Sequence, residues 1–347
     1  MIKKFFKEHS MHKKVASMID GVFVFNLPYF FVLWMFFVWG MTASYYSAGI
    51  NDSLYFLTSF DFKPFLFFLG LSFFLGALNI KNQSDDLHYI LDWKKSNNDN
   101  YNTNLNYLYV CPNFISLKLS DIYYYVSILL GAIIVAFFSL WCLVPLFIYA
   151  FLNLFIYKMI IRTISLKIFL FRCLFRLINA FLLFLSGWIY FGNVKLLNVV
   201  AYIPLFIMAV LPIVLMNEVV SYNRFSKQES DNRNFIYSYR KNIAGFSLIV
   251  MICLFVYSFY MISIPDPITS HFSIITIPFL CYAFFRSLKR DFVRSYNYPI
   301  MIMNILLSWT LFPFLFLAQF IVYYLSKYYY WHRFNVHFPK FVIEQDD

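Results

Sequence analysis

The chain has 347 residues, of which 61% are hydrophobic and 13% charged, with a formal net charge of +11 and a mean hydropathy of +0.66. Soluble domains are close to half apolar, so this composition excludes an ordinary soluble globular protein. The positive charge does not point to nucleic acid, because it is gathered between apolar runs of about 18 residues or more, each long enough to cross a bilayer as a helix.

The N-terminal stretch MIKKFFKEHSMHKK is basic and leads into an apolar segment with no small-residue cleavage site. That pattern predicts a retained first helix rather than a cleaved signal. Apolar segments follow at residues 21–43, 63–80, 122–141, 143–159, 177–193, 196–217, 243–263, 270–286 and 299–325. They predict nine transmembrane helices. The third and fourth are separated by WCLVP, which reads as a tight hairpin. Pro28, Pro204, Pro212 and Pro313 fall inside these spans, where neighbouring helices can satisfy the carbonyls that proline frees. Cys111, Cys142, Cys173, Cys253 and Cys281 have no ligand-like spacing and read as small buried hydrophobes. The many aromatic residues read as lipid-facing or core, and none marks a site.

Charge alternates from segment to segment. Residues 1–20, 81–121, 158–176, 218–242 and 286–294 hold 23 of the 28 Lys and Arg. Only Lys63, Lys195, Lys327, Arg333 and Lys340 fall elsewhere. Cytoplasmic loops collect Lys and Arg, so the N-terminus is expected in the cytoplasm and the tail 326–347 on the opposite side. The expected architecture is a single all-α polytopic domain over 1–347, with polar segments at 81–121 and 218–242 on the cytoplasmic side.

Those two segments carry the chemistry. The first begins LNIKNQSDDLHYILDW and the second LPIVLMNEVVSYNRFSKQESDNRN. Each has an Asn at the end of an apolar run, Asn79 and Asn217, followed by acids: Asp85, Asp86 and Asp92 in one, Glu218, Glu229 and Asp231 in the other. Two acid-bearing helix ends, one in each half, suit magnesium held against a diphosphate, because this hard cation prefers carboxylate and phosphate oxygens. Asp85 and Asp86 also suit a solvated cap on a short interfacial helix. A membrane-edge acid such as Glu218 needs a polar cavity or a partner.

This layout resembles the UbiA superfamily of intramembrane prenyltransferases over nearly the whole chain. NIKNQSDD stands where that family has N-D-x-x-D-x-x-x-D, and MNEVVSY resembles its second motif. CPNFISLKLSDIYYYVSILLG, YKMIIRTISLK, INAFLLFLSGWIYFG and YRKNIAG follow in the family's order. The sequence departs from the family at Gln83, Leu87, Ser221 and Phe225, where acids are usual. The resemblance implies nine helices around a cytoplasm-facing cavity in the cytoplasmic (inner) membrane. It implies transfer of a prenyl or related group from a diphosphate-activated lipid to a membrane acceptor. Asn79, Asp85, Asp86 and Glu218 would be the catalytic positions, with Asp85, Asp86 and Glu218 on Mg2+. Arg162, Lys167, Asn217, Arg224, Lys227 and Arg240 would hold the prenyl diphosphate. The basic residues are equally accounted for by the charge rule for cytoplasmic loops.

Two other functions are consistent with the residues. One is a catalytically reduced relative that keeps the fold, binds membrane lipid or serves as a subunit, and has lost metal chemistry. The other is a transporter, which the scarcity of charge in the middle of the spans disfavours.

Overall fold

Prolines and an asparagine set the first helix boundary. The computed structural model describes residues 10–47, 62–97, 117–156, 166–190, 196–225, 230–260, 267–311 and 313–334. Helix α1 (Ser10–Phe23) stops short of Pro28, and Leu27–Tyr29 forms one 3-10 turn. Asn26, before that turn, is left-handed at φ 55° and ψ 56°. Asn tolerates this region better than most residues. Helix α2 (Phe30–Ser47) then begins, so the expected 21–43 span is broken at its start instead of carrying Pro28 within it.

The remaining elements are helical. They are α3 (Phe62–Asn97), α4 (Leu117–Phe138), a 3-10 turn at Leu140–Cys142, α5 (Leu143–Phe151) with a π turn at Leu152–Ile156, α6 (Leu166–Tyr190), α7 (Leu196–Phe225), α8 (Ser230–Tyr260), α9 (Pro267–Arg286), α10 (Lys289–Leu311) and α11 (Pro313–Phe334). Among the described residues there is no strand. Among the described residues seven segments are long and apolar enough to cross a membrane: Met18–Ser44, Phe62–Ser84, Lys118–Phe138, Phe169–Tyr190, Asn198–Val219, Tyr239–Ser258 and Ile268–Arg286. A shorter apolar stretch covers Leu140–Ile156. The chain is a multi-pass helical membrane protein. On α4, Ile122, Val126, Leu129, Ile133 and Phe137 recur at helical spacing and are all more than half exposed. In water such a stripe would be a liability; here it meets lipid.

Three expectations change. The span 299–325 is two helices, because Pro313 opens α11 and does not continue α10. Proline is favoured at the first helical position and breaks a helix interior. The polar stretch after Asn79 is not a loop at its start: α3 runs on to Asn97, a helix about 54 Å long. No Gly or Pro lies between Ala77 and Asn97 to stop it. In the same way α7 runs past Asn217 to Phe225. Among the cysteines, Cys142 and Cys173 are buried as expected, but Cys253 is exposed.

The chain divides into two compact units. The first takes the described residues within Met1–Phe30, Ser59–Leu143 and Leu317–Phe341; the second takes those within Phe31–Thr58 and Val144–Phe316. In the first, α3 and α4 cross at glycines. A Cβ on Gly131 would stand 2.5 Å from the Phe74 backbone nitrogen and 2.7 Å from the Gly70 carbonyl oxygen. Lipid supplies no hydrophobic drive between helices, so close backbone approach is a main source of packing energy. In the second unit, α2 and α6 meet the same way: a Cβ on Gly40 would strike the Phe184 backbone, and one on Gly187 the Phe37 backbone. Beside that crossing Trp39 packs against Phe184, Phe206 and Phe272, with ring centroids 5.3–6.4 Å apart. Its indole N–H donates to the Tyr202 hydroxyl at 2.8 Å.

Two consequences are measurable by thermal melting in detergent. Gly131→Ala is expected to destabilise the fold by about 1–3 kcal/mol, as overpacking against a rigid backbone does. A melting temperature equal to that of the parent would show that α3 and α4 do not pack this tightly. Tyr202→Phe strands the buried Trp39 N–H and is expected to lose about 1–3 kcal/mol, whereas Tyr257→Phe, on an exposed side chain, is expected to change little.

Candidate functional site

Glu218 is wholly buried, at 0% exposure. It sits on α7 and faces α6, where Arg172 and Arg176 are one turn apart and therefore on one face. The Arg172 Nε lies 3.3 Å from Glu218 Oε2, and the Arg176 Nε pairs with Oε1. The contacts are ion pairs without the alignment of hydrogen bonds. Arg172 is buried and Arg176 about a quarter exposed. Within the trio one negative charge stands against two positive ones. An uncompensated carboxylate at this depth is expensive, and the two guanidinium groups make its burial tolerable. A metal ion would have to displace both to reach the same oxygens.

The first polar segment is built differently. Asn79 Nδ2 donates to the Phe25 carbonyl at 3.2 Å, and Gln83 Nε2 donates to the Val24 carbonyl at 3.0 Å. These carbonyls lie in the broken region after α1, where α-helical partners are missing. Asn79 and Gln83, one turn apart on α3, take that role. Lys81, on another face of α3, pairs with Asp121 of α4 at 3.3 Å. Asn79 belongs to the first unit and Glu218 to the second, and each is fastened within its own unit.

The other expected site residues are distributed as follows. Asp85, Asp86, His88 and Asp92 lie within α3, so Asp85 and Asp86 do not cap a separate short helix; their side chains are outside the described set. Arg224 lies in α7 and Lys167 in α6, again with side chains outside it, while Arg162 and Lys227 fall wholly outside the described residues. Asn217 is half-buried beside Glu218. Arg240 lies over the Phe292 ring at 5.6 Å, a cation–π contact between α8 and α10. Among the described residues no group of three or more His, Cys, Asp or Glu could hold a metal.

No protein-family model, no curated protein and no solved structure matches the chain.

Arg172 and Arg176 were visible to sequence reasoning only as members of a basic segment. Their spacing in RCLFR, on an otherwise apolar helix, was the available signal. Gln83 reads from the sequence as a lost acid, whereas the structure gives it a definite partner.

Removing one member of a buried ion pair typically destabilises by about 3–5 kcal/mol, because the other is left unpaired. Arg172→Ala is therefore expected to lower stability more than Arg176→Ala, whose site is partly screened by solvent. Glu218→Gln, which removes the charge that both arginines face, is expected to be at least as damaging. Equal melting temperatures for all three variants and the parent would remove the trio from the stability of the fold.

Proposed function

We propose that this chain is a catalytically reduced, UbiA-like protein of the cytoplasmic membrane, with its N-terminus in the cytoplasm, which binds a membrane lipid and does not carry out magnesium-dependent prenyl transfer. The observation that supports this reading is the engagement of Glu218 by Arg172 and Arg176. In the transferase layout this position supplies a magnesium ligand from the second motif. Here the carboxylate is buried and its charge is already met. Asn79, at the head of the first motif, uses its amide nitrogen on a backbone carbonyl. The described donors do not fit a magnesium site, and no reaction step is assigned to one. What remains is a helical frame with exposed apolar faces suited to lipid tails.

The test is binding of farnesyl diphosphate to the full-length protein in detergent, with and without magnesium, alongside native mass spectrometry for retained lipid. The expected result is a co-purifying lipid and no magnesium-dependent binding, with Asp86→Ala indistinguishable from the parent. Magnesium-dependent binding that Asp86→Ala abolishes would overturn this reading and restore the prenyltransferase one.

A further inference from the structure

A polar clasp joins the first and last described helices. Asp20 on α1 is buried. Its Oδ1 accepts a hydrogen bond from the Tyr329 hydroxyl at 2.5 Å, and its Oδ2 accepts one from Arg333 Nη2 at 2.9 Å. One turn further on, Phe23 stacks on Tyr329 with centroids 3.9 Å apart and meets Tyr330 edge-on at 5.7 Å. Phe23, Tyr329 and Tyr330 are each at most 2% exposed. Residues 20–23 therefore lie at the same depth as residues 329–333.

That depth is one face of the membrane. Asn79 and Gln83, bonded to Phe25 and Val24, stand where α3 leaves its apolar stretch Phe62–Ser84. Lys81 pairs with Asp121, which stands where α4 enters its own stretch Lys118–Phe138. The first span begins, the second ends and the third begins at this level. Helix α11 arrives at it from the other side, since Pro313 is its first residue and Arg333 its next to last.

A chain that starts and finishes on one face crosses an even number of times. We infer that the chain from α1 to α11 crosses the membrane ten times and that α11 ends on the same face as α1 begins. The seven long apolar segments supply seven crossings, and the shorter Leu140–Ile156 stretch with the less apolar α10 and α11 supplies the other three. Helices α10 and α11 have 23 and 22 residues, or about 33–35 Å each, enough for a hydrocarbon core of about 30 Å. The charges of α10 (Lys289, Arg290, Asp291, Arg294) are in its first six residues, and those of α11 (Lys327, Arg333) in its last eight. In a chain of ten crossings both helices put their charged ends on the N-terminal face and their uncharged ends away from it.

The charge distribution supports this count independently of the clasp. With nine spans, Lys63, Lys195, Lys327, Arg333 and Lys340 lie opposite the N-terminus. With ten, Lys327, Arg333 and Lys340 join it, and only Lys63 and Lys195 of the 28 Lys and Arg remain on the far face. Cytoplasmic enrichment of Lys and Arg favours the second arrangement. The ten-crossing count differs from the nine helices that the UbiA resemblance implies, and it does not rest on the functional reading above.

The test is sidedness of labelling in sealed vesicles of known orientation. Lys14→Cys, Lys63→Cys and Lys327→Cys, all at exposed positions, are placed singly in full-length protein whose native cysteines are replaced by serine. A membrane-impermeant maleimide is added before or after permeabilisation. Lys327→Cys is expected to label from the same face as Lys14→Cys and opposite to Lys63→Cys. Labelling of Lys327→Cys together with Lys63→Cys would overturn the inference. If Lys327→Cys does not react, an alkaline phosphatase fusion after Asp347 decides. The same phosphatase state after Asp347 and before Met1 upholds ten crossings, and different states at the two ends refute them.

Discussion

Backbone groups in hydrocarbon have no water to bond, and this constraint governs the whole molecule. It makes every described element helical, and it turns each interruption of a helix into a problem that some side chain must solve. The break after α1 is the clearest case. Asn26 turns left-handed, Pro28 stops the first helix, and the carbonyls of Val24 and Phe25 are then met by Gln83 and Asn79 reaching across from α3. A kink in one helix thus prescribes two polar residues one turn apart on another.

Buried charge follows the same logic. Among the described residues Asp20, Glu218 and Asp291 are buried carboxylates, and each is met by arginine from another helix. Asp20 adds the Tyr329 hydroxyl, and Glu218 adds a second guanidinium. Neither carboxylate points into open space. Polar pairs of this kind supply little net energy over an apolar replacement, but losing one partner is costly. They act chiefly to make one arrangement of otherwise interchangeable apolar helices the favoured one. The glycine crossings, Gly70 with Gly131 and Gly40 with Gly187, supply close backbone contact between other helix pairs.

These placements bear on function. A membrane transferase that uses magnesium needs carboxylates that are free to coordinate. In this chain Glu218 is engaged by two arginines, and the amide nitrogen of Asn79 by a carbonyl. The same residues therefore read as a motif in one dimension and as fasteners in three.

The sequence by itself determined the class. Apolar runs and their charged margins identify a multi-pass helical membrane protein, because hydrophobic length and charge asymmetry are local, additive properties. Of the candidate site, it located Glu218 as an acid that needs a polar cavity or a partner, because acids are rare at such depth, and Asn79 as a polar residue at the end of an apolar run. It did not name those partners. Asp20 and Arg333 are 313 residues apart, and Arg172 and Glu218 sit on different helices. Periodicity within a helix carries no information about which helix packs beside it. Nor could apolar patterning separate a proline inside a span from one that starts a new helix, which is why 299–325 reads as one segment and folds as two. Only tertiary packing decided those questions, by bringing residues far apart in the chain to the same depth.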